Sequence, residues 1–366
     1  MLIVLAIKAL LLATIPLTLV YLSRGTDRYR KLAWVMVFFT FDLIAFGAFT
    51  RLTDSGLGCP DWPGCYGEAN PFLAHESISA AELMQPTGPV TALKAWIEMI
   101  HRYLAMGVGV LIIASLVASL QLWRKLRERR YHPALPVALL LWVCVQGAFG
   151  AWTVTLKLQP VIVTIHLLLG ISLLALLTWH AMRQSLQPSV GVVAPSLRLL
   201  AAVAQTLAFE QVALGGWVST NYAALACGGV PLCQGSLLPQ MDFAHGFTLW
   251  RQLGMTTTGE YLPFEALVAV HWVHRVFALI VVGVVSVTAW CASKLAGCEQ
   301  PARYLLLLIG LQFCSGLATV AFNWPLLLAV LHNAGAALLI ALLTILNFRL
   351  VTSVTQQTVQ PELAPA

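Results

Sequence analysis

Long apolar runs alternate with short polar segments along this chain. Runs approaching the length needed to cross a bilayer, about 20 residues, occupy 2–22, 33–51, 93–122, 134–155, 161–182, 197–219, 264–290, 302–322 and 325–347. Nine transmembrane helices are predicted. The strands of a membrane barrel would alternate apolar and polar positions over about ten residues, and unbroken runs exclude that pattern. The predicted fold class is therefore an all-α polytopic membrane protein.

Composition agrees: of 366 residues, 59% are hydrophobic and 10% charged, with a mean hydropathy of +0.82. A soluble globule does not have these values. Basic residues gather in alternate loops, at Arg24, Arg28, Arg30 and Lys31, then at Arg124, Lys125, Arg127, Arg129 and Arg130, then at Arg183, Arg198, Lys294, Arg303 and Arg349. That asymmetry places these loops in the cytoplasm and the segments 52–92, 156–160 and 220–263 outside. The net charge of +6 reports this bias and not a nucleic-acid partner. The first run is too long for a signal-peptide core and lacks a basic leader and a cleavage site, so it reads as a retained anchor. With no Arg- and Ser-rich import leader, a multi-pass protein of a bacterial inner (cytoplasmic) membrane is expected.

The first external segment contains SGLGCPDWPGC, with Cys59 and Cys65, and the third contains ALACGGVPLC, with Cys227 and Cys233. Both members of the second pair lie 168 residues beyond those of the first, and the same offset carries Asp42 to Glu210 and Gly47 to Gly215. EMIHRYLAM (98–106) matches HWVHRVFAL (271–279), and TIHLLLG matches VLHNAGA, which pairs His101 with His274 and His166 with His332. An internal repeat is predicted: an extra N-terminal span and linker (1–32), two tandem four-helix bundles (33–183 and 184–348), and a cytoplasmic tail (349–366). The repeats run parallel.

Each unit thus has one matched histidine on its second helix and one on its fourth. Polar groups in hydrocarbon are costly and usually functional, and all four fall six to ten residues from the external ends of their helices. Two imidazoles facing each other across a four-helix bundle, without further carboxylates or thiolates to complete a zinc or di-iron site, suit the axial ligands of a haem. Two such sites are predicted. Glu98 lies three residues from His101 on nearly the same helical face, and burial there suits a group that takes a proton; the second unit has His271 at the matching position. Arg102, Arg275 and Arg51 are candidate partners for propionates, with snorkelling to the interface as the alternative. Asp42 and Glu210 are expected to pack against neighbouring helices.

External placement allows disulfides to persist, and Pro60 and Pro63 stiffen the first turn. Disulfides Cys59–Cys65 and Cys227–Cys233 are predicted, with a structural role and thiol exchange both open. Cys144, Cys291, Cys298 and Cys314 read as ordinary small residues.

Together TRLTDSGLGCPDWPGC, Glu98-x-x-His101-Arg102, VQGAFGAWTV, His166, the second Cys-x5-Cys, His274-Arg275 and His332 resemble the haem A synthase family over both units. The span 2–22 and the external stretch 234–263 depart from its pattern. The resemblance implies a membrane oxidoreductase of haem a biosynthesis and cytochrome oxidase assembly that oxidises the C8 methyl of haem o to the formyl of haem a. It further implies a resident haem b on His274 and His332, and the reacting haem o on His101 and His166 with Glu98 beside it. Delivery by a haem o synthase follows from it, the electron acceptor is left unidentified, and homo-oligomers are left open.

Two other functions fit parts of the chain. A b-type transmembrane electron-transfer cytochrome would use His166 and His180, 14 residues apart and so about 21 Å along one helix, but helix 93–122 has no partner for His180. A membrane thiol oxidoreductase would use the external cysteines and leave the four histidines without a purpose.

Overall fold

The computed structural model describes residues 1–24 and 27–359; the end of the predicted tail, 360–366, lies outside the described residues. The long helices are α1 (Leu2–Leu22), α2 (Arg28–Leu52), α4 (Ala92–Leu126), α5 (Ala134–Thr155), α6 (Pro160–Gln184), α7 (Pro195–Thr220), α9 (Phe264–Ala292), α10 (Glu299–Ala321) and α11 (Leu326–Val359). Among the described residues, these nine are the helices long and apolar enough to span a membrane. The chain is a multi-pass, all-α membrane protein. Two short helices, α3 (His75–Met84) and α8 (Phe243–Gly246), lie in the large loops, where the apolar runs give no sign of them. The segment after 348 continues α11 to Val359.

Local chemistry sets the helix ends. The Asp27 carboxylate accepts from the Arg30 N–H at 3.0 Å and the Thr91 hydroxyl from the Lys94 N–H at 3.2 Å, each satisfying an otherwise orphaned first-turn donor. Pro160 and Pro195 open α6 and α7, where a missing N–H costs nothing. Arg124 and Lys125 occupy the last turn of α4, complementing its dipole.

Helices α2, α4, α5 and α6 pack in a closed ring, and α7, α9, α10 and α11 pack in another. The rings meet where α2 and α6 touch α11 and where α6 touches α7. Helix α1 lies outside the first ring, against α4 and α2. Leu174, Ala204, Val285, Leu305 and Ile340 belong to one buried apolar cluster of the second ring and its seam, while Met36, Leu111, Ile112 and Leu177 fill the first ring. Both fillings lie away from the histidines, so the rings are packed at one end and open at the other.

The large loops 52–92 and 220–263 close over the open end. Cys59–Cys65 and Cys227–Cys233 are disulfides, with Cα separations of 4.9 and 4.7 Å. Each loop is pinched by a reciprocal backbone pair, Cys65 with Glu68 and Cys233 with Ser236. The first lies flat on α4: a Cβ on Gly58 would come within 2.5 Å of the Lys94 carbonyl carbon, so only glycine permits that approach. Helix α1 braces the same loop from outside. Its Leu5 is buried with Cys59 and Cys65, and the Lys8 ammonium donates to the Ala69 carbonyl and the Tyr103 hydroxyl, both at 3.2 Å.

Candidate functional site

The open ends of the two rings share one cavity of about 1050 Å³, at the upper limit for small-molecule sites. His101, His166, His274 and His332 all line it. Each sits six to ten residues from the loop-proximal start of its helix, so the four lie at similar depth.

Every one of these imidazoles packs on a glycine of the preceding long helix. A Cβ on Gly47 would meet Cε1 of His101 at 2.9 Å, one on Gly150 would meet His166 at 3.1 Å, one on Gly215 His274 at 3.1 Å, and one on Gly316 His332 at 3.2 Å. The first is shorter than real Cβ contacts and the others are tighter than most of them, so the missing side chains are what let the Cε1 edges of the rings come so close to the helices. Gly47, Gly150, Gly215 and Gly316 also line the cavity. The sequence shows the signal as Gln146-x3-Gly150, Gln211-x3-Gly215 and Gln312-x3-Gly316, with Leu43 standing four residues before Gly47. Motif reading found the histidines and missed the glutamines.

Glutamines and one serine reach the histidines of the second ring. Gln211 Nε2 lies 3.1 Å from Nδ1 of His274 and 3.4 Å from its Nε2, and donates to the His274 carbonyl at 3.2 Å. Ser315 Oγ is 2.8 Å from Nδ1 of His332, and Gln312 donates to the His332 carbonyl at 3.1 Å. In the first ring Nδ1 of both His101 and His166 is buried with no hydrogen-bond partner. The main-chain carbonyl of Gln146 is the near acceptor for His166, without a well-aligned hydrogen bond.

Glu98 lines the cavity and is 4% exposed, but both of its oxygens are engaged. Oε2 accepts from the Cys59 N–H at 2.8 Å, and Oε1 pairs with the Arg102 guanidinium. Arg102 also donates to the carbonyls of Asp61 at 2.8 Å and Gly64 at 2.6 Å. Arg275 makes the corresponding contacts in the second ring, to the carbonyls of Gly229 at 2.9 Å, Leu232 at 3.4 Å and Cys227. Its Nε donates to His271 Nε2 at 3.2 Å. The arginines following the two α4 and α9 histidines therefore hold the disulfide loops down, a use that the propionate expectation did not include. In the first loop, Asp61 accepts from the Tyr66 and Gly67 N–H groups at 2.6 and 2.7 Å. Burial, and secondarily the Asp61 charge, raise the Tyr66 phenol above its usual range.

Arg51 lines the cavity and reaches across the seam between the rings. It donates to the Ser219 carbonyl at 2.6 Å and to Asp54 at 3.2 Å, and lies over the Tyr222 ring at 4.2 Å. Asp42 and Glu210 are exposed on the outer surface of their helices, so they are not packed into neighbouring helices as expected. His180 is 1% exposed, with its ring edge-on to Tyr29 at 5.6 Å, and it does not line the cavity. Of the free cysteines, Cys298 is buried, Cys291 intermediate, and Cys144 and Cys314 exposed.

The residues present suit a porphyrin. Two imidazoles from each ring line a largely apolar chamber, and among the described residues no group of three or more His, Cys, Asp or Glu gathers to hold a bare ion. A metal that brings its own equatorial ligands needs only the two axial ones.

A family model described as "Cytochrome oxidase assembly protein", COX15-CtaA, matches residues 30–344, which leaves α1 outside the match. A protein named heme A synthase from Shewanella oneidensis is 36% identical over 327 residues, covering 87% of this chain and 96% of the relative. Proteins of the same name from Novosphingobium aromaticivorans and a Caulobacter species are 30% and 28% identical, each matching 88% of this chain and 95% and 97% of the relative.

Proposed function

The chain belongs to the COX15-CtaA family of cytochrome oxidase assembly proteins, and from that premise we propose that it is an oxidoreductase converting haem o to haem a by oxidising the C8 methyl to a formyl group. The observation that supports this best is the pair of histidines in each ring, every imidazole with its edge against a glycine and all four lining one cavity. A binding module for one haem would have no need of the second pair.

Residues 33–183 and 184–348 act as two units in this proposal. His101 and His166 hold the haem o being oxidised. His274 and His332 hold a resident haem b, which supplies a redox-active iron when bound. The chain's own groups do the rest: the glycines orient the imidazoles, and the apolar walls and the loops carrying Trp62, Pro63, Val230 and Pro231, all on the cavity lining, restrict water. Glu98 is the carboxylate placed to take a proton beside the first site. Because its oxygens also hold the Cys59 amide and Arg102, taking a proton weakens its hold on the lid, so proton transfer and loop position are coupled there. Arg51, at the seam, is the guanidinium best placed for a propionate; Arg102 and Arg275 act through the loops. The loops carrying Arg24–Lys31 and Arg124–Arg130 face the cytoplasm. Haem o comes from a haem o synthase; with water supplying the formyl oxygen, the conversion of methyl to formyl releases four electrons and four protons, and an acceptor outside the chain takes the electrons.

Expression of the full chain in a host that makes haem o but not haem a, followed by mass identification of the extracted haems, tests this. Haem a is expected. Haem o alone, with the protein inserted and folded, would reject the assignment.

A further inference from the structure

The two histidine pairs are braced differently, and two positions account for it. Position 211, four residues before the ring-bearing glycine, is Gln in the second ring, and its counterpart in the first is Leu43. Position 315, just before Gly316, is Ser, and its counterpart before Gly150 is Phe149. Through Gln211 and Ser315 both second-ring imidazoles have their Nδ1 contacted from the adjacent helix, at 3.1 and 2.8 Å. Leu43 and Phe149 offer no such side-chain group: Nδ1 of His101 is left buried and unpartnered, and His166 has only the main-chain carbonyl of Gln146 nearby, with no side-chain brace.

An imidazole that binds iron through Nε2 carries its proton on Nδ1, and an acceptor at Nδ1 fixes both that tautomer and the orientation of the ring. Ser315 Oγ is such an acceptor, and it is tied in turn to the Gln312 carbonyl at 3.1 Å. Gln211 acts through its amide nitrogen, which donates to the His274 carbonyl at 3.2 Å and packs 3.1 Å from Nδ1, so it restrains both the helix segment and the edge of the ring. The first ring keeps its own glutamine, Gln146, but with Phe149 in place of a serine its Oε1 is left unpartnered.

We infer that Gln211 and Ser315 are positioning residues that lock the second-ring histidines onto a retained haem, and that Leu43 and Phe149 leave the first-ring histidines free to tilt, so that this ring exchanges its porphyrin. The inference rests on the proposed haem b at His274 and His332, and deepens it by naming what distinguishes a retaining site from an exchanging one within one scaffold.

The test uses the full chain in detergent with the first ring disabled by His101→Ala, loaded with haem b, so that only the second ring reports. Transfer to excess apomyoglobin is followed by absorbance, alongside the low-spin spectrum of the bis-histidine iron. Gln211→Leu with Ser315→Ala should speed haem loss by about 10–100-fold, the cost typical of removing an outer-shell partner. Ser315→Thr, which keeps the hydroxyl, should stay near the parent rate. In a separate His274→Ala background, Leu43→Gln should slow loss from the first ring. Should the double variant fail to fold, Ser315→Ala compared with Ser315→Thr decides the same question. If the His101→Ala parent binds no haem, the assignment of haem b to the second ring falls, and this inference with it. If the parent binds haem but Ser315→Ala and the double variant both release it within about twofold of the parent rate, far below the usual outer-shell cost, the inference alone is overturned.

Discussion

The first ring and the second are built from the same parts and differ where the parts touch chemistry. Both pack two imidazoles on two glycines, and both use an arginine one residue after a histidine to hold the carbonyls of a disulfide loop. The first ring then has Glu98 where the second has His271, and Leu43 and Phe149 where the second has Gln211 and Ser315. It is also braced from outside by α1. Shared features are those that any pocket for a flat, bis-imidazole-ligated group requires. The differences lie in what can take a proton and in what contacts the imidazoles, and in the proposed function they separate a place where a molecule reacts from one where it stays.

The largest expected effects come from the proposed iron ligands. His274→Ala or His332→Ala should remove most of the haem b from the purified protein, whereas His101→Ala or His166→Ala should leave it bound and abolish haem a formation; extracted pigment analysis separates the two outcomes. Next is Glu98→Gln, which keeps an acceptor for the Cys59 N–H but no charge for Arg102. If Glu98 is the proton acceptor, haem a formation should fall by about 10²–10⁴-fold while haem b remains, and haem o or a partly oxidised alcohol should accumulate. Near-normal conversion would reduce Glu98 to a loop anchor.

Adding a methyl at the glycines sharpens the comparison further. Gly47→Ala should displace the His101 ring, and a misplacement near 1 Å costs up to about 10²-fold in rate; Gly215→Ala should instead lower haem b occupancy, read from the reduced spectrum. Smaller still is the loss of a disulfide. Replacing both cysteines of a loop by serine should cost about 2 kcal/mol for so short a closed segment, seen as a modest drop in melting temperature, with the first loop affecting conversion and the second haem b retention. Lys8→Met removes two hydrogen bonds from the brace on the first loop and should cost about 1–2 kcal/mol, with no change in haem b content.

The sequence carries the membrane spans plainly, because a bilayer forces each helix to hide its own backbone and so to be long and apolar. It also carries the four histidines, since an imidazole in such a run stands out, and the two cysteine pairs, since their spacing is duplicated. What it hides is contact. Nothing in the text of α4 says that Glu98 reaches the Cys59 amide or that Arg102 turns up into the loop, because those partners are fixed by how the loop lies on Gly58. Gln146, Gln211 and Gln312 look like scattered polar residues until each is seen four positions from a glycine beneath an imidazole. Asp42 and Glu210 mislead for the converse reason: matching positions suggest a shared packing role, and both residues are exposed.

The claim at the centre is that one ring retains its haem and the other releases it. Identifying by mass which haems leave the purified full-length protein for excess apomyoglobin, and which stay, tests that claim most directly. The account predicts two phases, with haem o and haem a leaving early and haem b staying until His274 or His332 is replaced. A single phase in which all haems leave together, or a retained haem b that survives His274→Ala, would contradict it.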